Sequence, residues 1–376
     1  MLFEDKTLAY FAHSADHWGR RHLLADHLAT VSRLAGEFSA GRPWSEEAGL
    51  AGLLHDLGKY GDKFQKRLRG EESGIDHWSM GAWVALQSCR SVAAAMSVQG
   101  HHIGLQHLSR DALGSLNPDS LTRAHPLGLR LSESDTGCLV GRLNEDGLQV
   151  SRPIEPLLPS MPEEKHLSWM LDLRLLFSAL VDADFLDTEA HFESDAAGKR
   201  YRAAGPTLDP EQALEALDRY REAVRQSSKA DEGVARLRDD LWKACIAAAS
   251  RPPGLFTLAA PTGSGKTLAM LAFALAHARE HGLRRVVVVI PYLSIIEQTV
   301  AVYRAAFGDG FPNSFVLEDH SLVGDRQGTE TEGSARYWER LLAENWDAPI
   351  VVTTSVQFLE SLFANRPSAC RKLHRL

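Results

Sequence analysis

The run Leu53-Leu54-His55-Asp56-Leu57-Gly58-Lys59 sets an imidazole beside a carboxylate at the end of an apolar helical turn. Both are ligands for first-row metal ions, but neighbours on a helix project about 100° apart, so further donors must come from other elements. Ten of the sixteen histidines fall within the first 125 residues, and His101-His102 are adjacent. His27, His55, Asp56, His77, His101 and His102, with Asp182 or Asp184, form a mixed imidazole and carboxylate set that suits two ions bridged by a carboxylate. Asp182 and Asp184 lie on a largely apolar helix, where an unpaired buried carboxylate is costly, so one of them needs a partner. Lys59, one turn past Asp56, is placed to neutralise a substrate phosphate. His13 and His17 share a helical face at a spacing of four but lack an accompanying glutamate base, and they read as surface residues.

A second constellation follows. Ala260-Pro261-Thr262-Gly263-Ser264-Gly265-Lys266-Thr267 is a phosphate loop between an expected strand, Leu255 to Ala259, and an expected helix, Leu268 to Ala278. The glycines let backbone N–H groups close on phosphates, Lys266 reaches the β and γ oxygens of ATP, and the Thr267 hydroxyl ligates Mg²⁺. The strand-to-helix turns at Pro291-Tyr292 and Thr353-Thr354 resemble the single-strand contact motifs of superfamily 2 helicases. The acidic pair that would hold Mg²⁺ after the second turn is absent, and Glu318-Asp319-His320 reads as a loop. Because the sequence stops at Leu376 with no second motor lobe, the expectation is a fragment.

The elements that must position these residues divide in two. The first hundred residues carry helical spacing (Leu28, Val31, Leu34-Ala35; Trp83-Val84, Leu86), followed by Gly- and Pro-rich text such as Gly114-Ser115-Leu116-Asn117-Pro118 and Pro156-Leu157-Leu158-Pro159. Helix resumes at His166 and runs toward Asp184. Charged, polar text over 188–231, with a helical stretch from Glu211 to Arg225, marks the junction. Beyond it, short apolar runs alternate with helical segments, the text of a parallel α/β sheet. A length of 376 residues also favours two domains. A net charge of −8 argues against a broadly basic nucleic-acid surface, although an enzyme can hold a phosphate chain through a few local cations and metals. Cysteines 89, 138, 245 and 370 have neither zinc-knuckle nor disulfide-framework spacing. No run is long enough to span a membrane, and the acidic N-terminus lacks a secretory pattern, so the expected location is the cytoplasm.

With its His-Asp, His-His and Ala-Asp motifs ahead of the phosphate loop, the chain resembles the CRISPR-associated HD-nuclease/helicase family, effectors recruited by type I surveillance complexes, over nearly its whole length. The resemblance implies a multidomain fold: an all-α HD-type metal-dependent phosphohydrolase domain over 1–200, with a loop-rich insertion at about 103–165, then a linker and helix over 201–235. A partial α/β RecA-like P-loop helicase lobe over 236–376 would follow, stopping before the Asp-Glu box. It further implies a monomer that cleaves single-stranded DNA with two divalent ions (Mn, Fe, Co or Ni) and a 3′-to-5′ motor using ATP and Mg. Matched residue by residue, His27 is the family's first histidine, His55-Asp56 the namesake pair with Asp56 bridging, and His77 and His101-His102 the second-ion histidines. Asp184 is the late Ala-Asp-aromatic aspartate, and the expected catalytic residues are His55, Asp56 and Lys59. The absent acid pair departs from the family, so the expectation is nuclease competence without helicase competence. Two other readings stand beside it: a phosphohydrolase on nucleotides or phosphomonoesters with a regulatory phosphate loop, and a catalytically silent docking module.

Overall fold

The structure, a computed structural model, describes residues 9–107, 110–154, 156–157, 166–320 and 330–376. The N-terminal hexapeptide and Leu158-Pro159 lie outside those residues. Two compact units are present: Met1–Ala203 with Leu362–His374, and Ala204–Ser361 with Arg375–Leu376.

The first unit is helical: α1 (Leu24–Phe38), α2 (Ser45–Leu54), α3 (Asp62–Leu68), α4 (Ser79–Gln87), α5 (Val92–Ile103), α6 (Arg110–Gly114), α7 (Pro118–Arg123), α8 (Thr136–Glu145) and α9 (His166–Phe192). A two-residue parallel pair, β1 (Ile75–Asp76) and β2 (Arg130–Leu131), pins the loop before α4. Leu24, Leu28, Val31 and Ala35 form the apolar stripe of α1, fully buried against α2 and α9. The approach of α1 to α2 depends on Gly52, where an added Cβ would lie 2.7 Å from Ser32 Cα. At Gly58 a Cβ would lie 2.6 Å from the His77 carbonyl oxygen, which instead accepts the Gly58 N–H at 2.9 Å. These two glycines bring His27 beside His55 and His77 beside Asp56.

The Gly- and Pro-rich stretch is more ordered than its composition suggests. Asn117 caps α7 through its side chain, with Pro118 in the first turn, and Asp135 caps α8. A proline directly after an Asn cap starts a helix rather than interrupting one. The segment Leu362–His374, which includes α16 (Pro367–Cys370), completes this unit. Arg174 Nε donates to the Leu362 carbonyl at 2.9 Å, and Leu373 is buried in the helical core.

The second unit holds β3 (Val286–Ile290), β4 (Val316–Asp319) and β5 (Ile350–Thr354), parallel and in the order β3-β5-β4. Around them are α10 (Pro210–Ser227), α11 (Glu232–Ala248), α12 (Lys266–His281), α13 (Leu293–Phe307), α14 (Glu330–Asn345) and α15 (Ser355–Phe363). Ala213, Ala216 and Leu217 of α10 are buried in this unit's core, so the stretch read as linker and helix supplies a packed helix. Two expectations are corrected. Leu255 to Ala259 is not a strand: it runs unpaired, with Leu255 96 % exposed, and an extended segment without a ladder partner is not a strand however apolar it is. Glu318-Asp319 is not a loop but the end of β4, paired with β5, with the indole N–H of Trp346 donating to Asp319 Oδ2 at 2.6 Å.

All four cysteines are free thiols. Among the described residues no helix is long and apolar enough to cross a membrane. Gly52→Ala is expected to destabilise the first unit by about 1–3 kcal/mol through overpacking against α1, read as a lower denaturant midpoint, with metal binding weakened as His27 and His55 are pushed apart.

Candidate metal centre and nucleotide-binding loop

Five elements converge on one cavity of about 660 Å³ in the first unit, lined in part by Asp56, Lys59, His77, His101, His102 and Asp184. His27 comes from α1, His55 and Asp56 from the end of α2, His77 from the loop before α4, His101 and His102 from the last turn of α5, and Asp184 from α9. They fall into two overlapping groups whose ligand atoms lie within 4.8 Å of one another: His27, His55, Asp56 and Asp184, and Asp56, His77, His101 and His102. Asp56 belongs to both. Its Oδ2 lies 3.4 Å from His27 Nε2 and 3.2 Å from His55 Nε2, while its Oδ1 lies 3.4 Å from His77 Nε2 and 3.6 Å from His101 Nε2. Asp184 Oδ1 stands 3.5 Å from both His27 Nε2 and His55 Nε2.

The backbone decides which nitrogen of His55 and of His101 faces the cavity. His55 Nδ1 donates to the Gly52 carbonyl at 2.8 Å, and His101 Nδ1 donates to the Val98 carbonyl at 2.7 Å. A carbonyl only accepts, so Nδ1 carries a proton and Nε2 is the atom turned to the cavity. His27 Nδ1 is taken by Asp187 Oδ2 at 2.7 Å. His77 Nδ1 lies 3.5 Å from the Ile75 carbonyl, and the loop that carries it is held by Asp76, whose Oδ1 accepts the Trp78 and Ser79 N–H groups at 2.8 and 3.0 Å and whose Oδ2 meets His125 Nε2 at 2.7 Å.

The donor set fits divalent first-row ions. Asp56 Oδ1 and His101 Nε2 are buried with no hydrogen-bond partner, although both point at the cluster. Burying such groups unsatisfied costs about 1–3 kcal/mol each, and a shared cation is the partner their chemistry matches. Lys59 Nζ, itself buried, lies 2.6 Å from Asp56 Oδ2. Burial pushes the Asp56 carboxyl upward, but Lys59 and His55 overcome it and hold the carboxyl well below its ordinary range. Asp184 is likewise held down by His55 and His27 against burial. His102, an exposed residue, is pushed down to about 3 by desolvation of its ring and by His101.

Asp182, the rival to Asp184, points elsewhere: its Oδ1 accepts from Arg371 Nε at 2.8 Å. His13 is corrected from a surface residue to one lining the cavity, with its ring 4.8 Å from that of His27; it lies before α1 on no helix, so helical spacing did not apply. His17 is exposed. Asp187 went unnoticed in the sequence, although it follows Asp184 by three residues on α9, the spacing that puts both on one helical face.

In the second unit, Gly263 and Gly265 have φ of +82° and +81°, a backbone only glycine adopts freely, and Gly265 opens α12. Lys266 Nζ donates to the Ala260 and Pro261 carbonyls at 2.8 Å each, folded back over the loop formed by Thr262, Gly263 and Ser264. Thr267 lies in the first turn of α12. Pro291 follows β3, and Tyr292 is 65 % exposed. Thr353 is corrected as a strand contact: it is fully buried and its hydroxyl donates to the Asp319 carbonyl at 2.7 Å. Thr354 Oγ1 accepts from Gln357 N at 3.0 Å at the start of α15.

Residues 243–376 match the DEAD/DEAH box helicase family. The CRISPR-associated nuclease/helicase Cas3 of Haloferax volcanii is 26% identical over 378 residues, covering 83% of this chain and 39% of that protein. The chain is homologous to Cas3. The fold agrees: the crystal structure of T. fusca Cas3-AMPPNP matches with a TM-score of 0.57 at 18% identity, over 98% of this chain and 46% of that one. T. fusca Cas3-ADP matches with a TM-score of 0.56 at 19% identity, with the same coverage. The chain thus corresponds to the N-terminal part of Cas3 and spans less than half the length of the relatives it matches.

The electrostatics of this candidate centre would make metal uptake pH-dependent. Burial opposes charge on His55 more than any other single influence, yet Asp56 and Asp184 together raise it to about 10. A pKa raised above the ordinary value favours the fold below pH of about 6.5, and this contribution fades as pH rises through about 10. Ions take the same nitrogen, so binding must displace a proton. Titration with Mn²⁺ in two buffers of different ionisation enthalpy should show proton release at pH 7 and tighter binding at pH 9; binding at pH 7 without proton release would contradict this account.

Proposed function

We propose that this Cas3 homologue is a metal-dependent nuclease acting on single-stranded DNA, with an all-α HD-type unit followed by a RecA-like lobe that binds ATP and Mg²⁺. The observation that carries the reading is the division of Asp56: one carboxylate oxygen faces His27 and His55, the other His77 and His101. That is the donor arrangement of a carboxylate-bridged pair of ions. When bound there, divalent ions supply Lewis acidity toward a phosphodiester.

The chain's own residues set the conditions for hydrolysis. His27, His55, His77, His101 and His102 supply imidazole nitrogens, and Asp56 and Asp184 supply the anionic oxygens. Lys59 keeps Asp56 ionised and brings positive charge to the cavity wall, where a substrate phosphate would arrive. Arg67 adds a second cation at the rim, its guanidinium 5.4 Å from the centre of the Phe64 ring. No side chain is needed as a covalent nucleophile. A docking module without catalysis would have no use for buried, unpartnered Asp56 Oδ1 and His101 Nε2, so the orphaned atoms favour an enzyme.

In the second unit Lys266 is placed to exchange the Ala260 and Pro261 carbonyls for nucleotide phosphates, with the N–H groups of the loop and the Thr267 hydroxyl completing the site. The Cas3 name of the relative, together with this loop, supports DNA and CRISPR interference as the setting, with a type I surveillance complex as recruiting partner.

The test compares the chain with Asp56→Ala and Lys266→Ala on circular single-stranded DNA, deoxynucleoside triphosphates and p-nitrophenyl phosphate, in Mn²⁺ or a chelator. DNA cleavage should require Mn²⁺, fall at least about a hundredfold in Asp56→Ala, consistent with loss of several kcal/mol of charge stabilisation, and survive Lys266→Ala without ATP. Undiminished cleavage by Asp56→Ala would sink the assignment. Consumption of the small substrates instead of DNA would replace it with a nucleotide or phosphomonoester hydrolase.

A further inference from the structure

Asp187 is a fully buried carboxylate outside the ligand set, and every donor around it is accounted for. Its Oδ2 accepts His27 Nδ1–H at 2.7 Å and lies 3.5 Å from His22 Nε2. Its Oδ1 accepts Lys199 Nζ at 3.0 Å and the Tyr201 hydroxyl in a short hydrogen bond. Lys199 and Tyr201 lie on the segment that follows α9 and folds back, closed by backbone hydrogen bonds between Asp195 and Gly198 and between Arg200 and Ala190. Asp187 is therefore clamped on one oxygen, and its other oxygen hydrogen-bonds His27 with His22 Nε2 further off at 3.5 Å.

His27 differs from the other ligands in this respect. His55 and His101 are each oriented by a carbonyl of their own helix, three residues back. His27 lies in the first turn of α1, and its Nδ1 proton finds its acceptor on another helix. Asp187 is that acceptor, and unlike a carbonyl it carries full charge. A carboxylate on Nδ1–H both fixes the tautomer and raises the basicity of Nε2, the atom 3.4 Å from Asp56 Oδ2 and 3.5 Å from Asp184 Oδ1. The neighbouring rings of His13 and His22 do not amount to a further ion site with His27, because both His27 nitrogens are committed.

We infer that Asp187, clamped by Lys199 and Tyr201, is the positioning residue for the His27 side of the metal centre, setting ion affinity there without touching ion or substrate. The inference rests on the metal-centre reading above. Its consequence is asymmetric: loss of Asp187 should weaken the ion held by His27, His55, Asp56 and Asp184 and spare the one held by Asp56, His77, His101 and His102.

The test is Mn²⁺ binding to the full chain by calorimetry, with metal content after dialysis and thermal melting of the chelator-treated protein as parallel readouts. Wild type should hold two ions, and Asp187→Ala should weaken one of them about 10–100-fold while the other binds as before. Tyr201→Phe, which removes one clamp and leaves His27 untouched, should weaken the same ion to a smaller degree. This variant keeps the question answerable if Asp187→Ala does not fold. Wild-type affinity for both ions in Asp187→Ala, or in Tyr201→Phe if that variant alone folds, would overturn the inference even if melting temperature fell, since it would leave Asp187 a purely structural role. No ion bound by wild type would overturn the metal-centre reading itself, and equal weakening of both ions would overturn the asymmetry.

Discussion

The first unit is organised around one carboxylate with two faces. Asp56 Oδ1 and Oδ2 look into different histidine groups, and only Oδ2 has a protein cation, Lys59, to answer it. A carboxylate buried this deeply is tolerable only because positive charge stands on one side and a space suited to cations on the other. Much else follows from holding that side chain in place. Gly52 lets α1 come close enough to set His27 opposite Oδ2, and Gly58 lets the loop before α4 come close enough to set His77 opposite Oδ1. Substituting either glycine would move a histidine group as well as a backbone.

The imidazoles show how helix geometry solves the tautomer problem cheaply. A histidine at the end of a helix finds a carbonyl three residues earlier that can accept its Nδ1 proton, and His55 and His101 both use it. Gly52 lies in the last turn of α2, where carbonyls lack intrahelical partners, so its bond with His55 satisfies both groups at once. His27 lies away from a helix C-terminus and depends on an aspartate, Asp187, while His77 Nδ1 lies 3.5 Å from the Ile75 carbonyl. Of these four imidazoles only His27 gives its Nδ1 to a carboxylate.

This division also explains what the sequence makes visible. His55-Asp56 and His101-His102 stand out because adjacency is a local signal, and local elements position them. The residue that orients His27 carries no such mark: Asp187 reads as one more acidic residue in a charged stretch until Lys199 and Tyr201 fold back onto it. In the second unit the glycine positions of the phosphate loop were legible from composition alone, whereas the strand expected before it was not realised, because pairing depends on a neighbour that no local run encodes. Thr353 and Thr354 illustrate a signal that was present and unused. Successive residues of a strand face opposite sides, so both hydroxyls could not point the same way; Thr353 is buried and Thr354 is at the surface end of β5.

Asp182 and Asp184 carry the same lesson to long range. Two residues apart on α9, they project to different sides of the helix, and nothing within α9 says which side faces the histidine cluster. What decides it is Arg371, 189 residues further on, which pairs with Asp182 in the interior of the first unit. The segment that carries Arg371 returns to this unit only after the chain has built β3, β4, β5 and α15 of the second. A buried carboxylate left without its cation is strongly destabilising, by about 3–5 kcal/mol, so the helix that carries Asp184 is stable in this arrangement only once Leu362–His374 is in place. The candidate metal unit is therefore not a module that ends where the nucleotide-binding unit begins. The same segment supplies Pro367 and Ser368 to the cavity wall, which ties completion of the metal pocket to residues that follow the phosphate-loop unit in sequence.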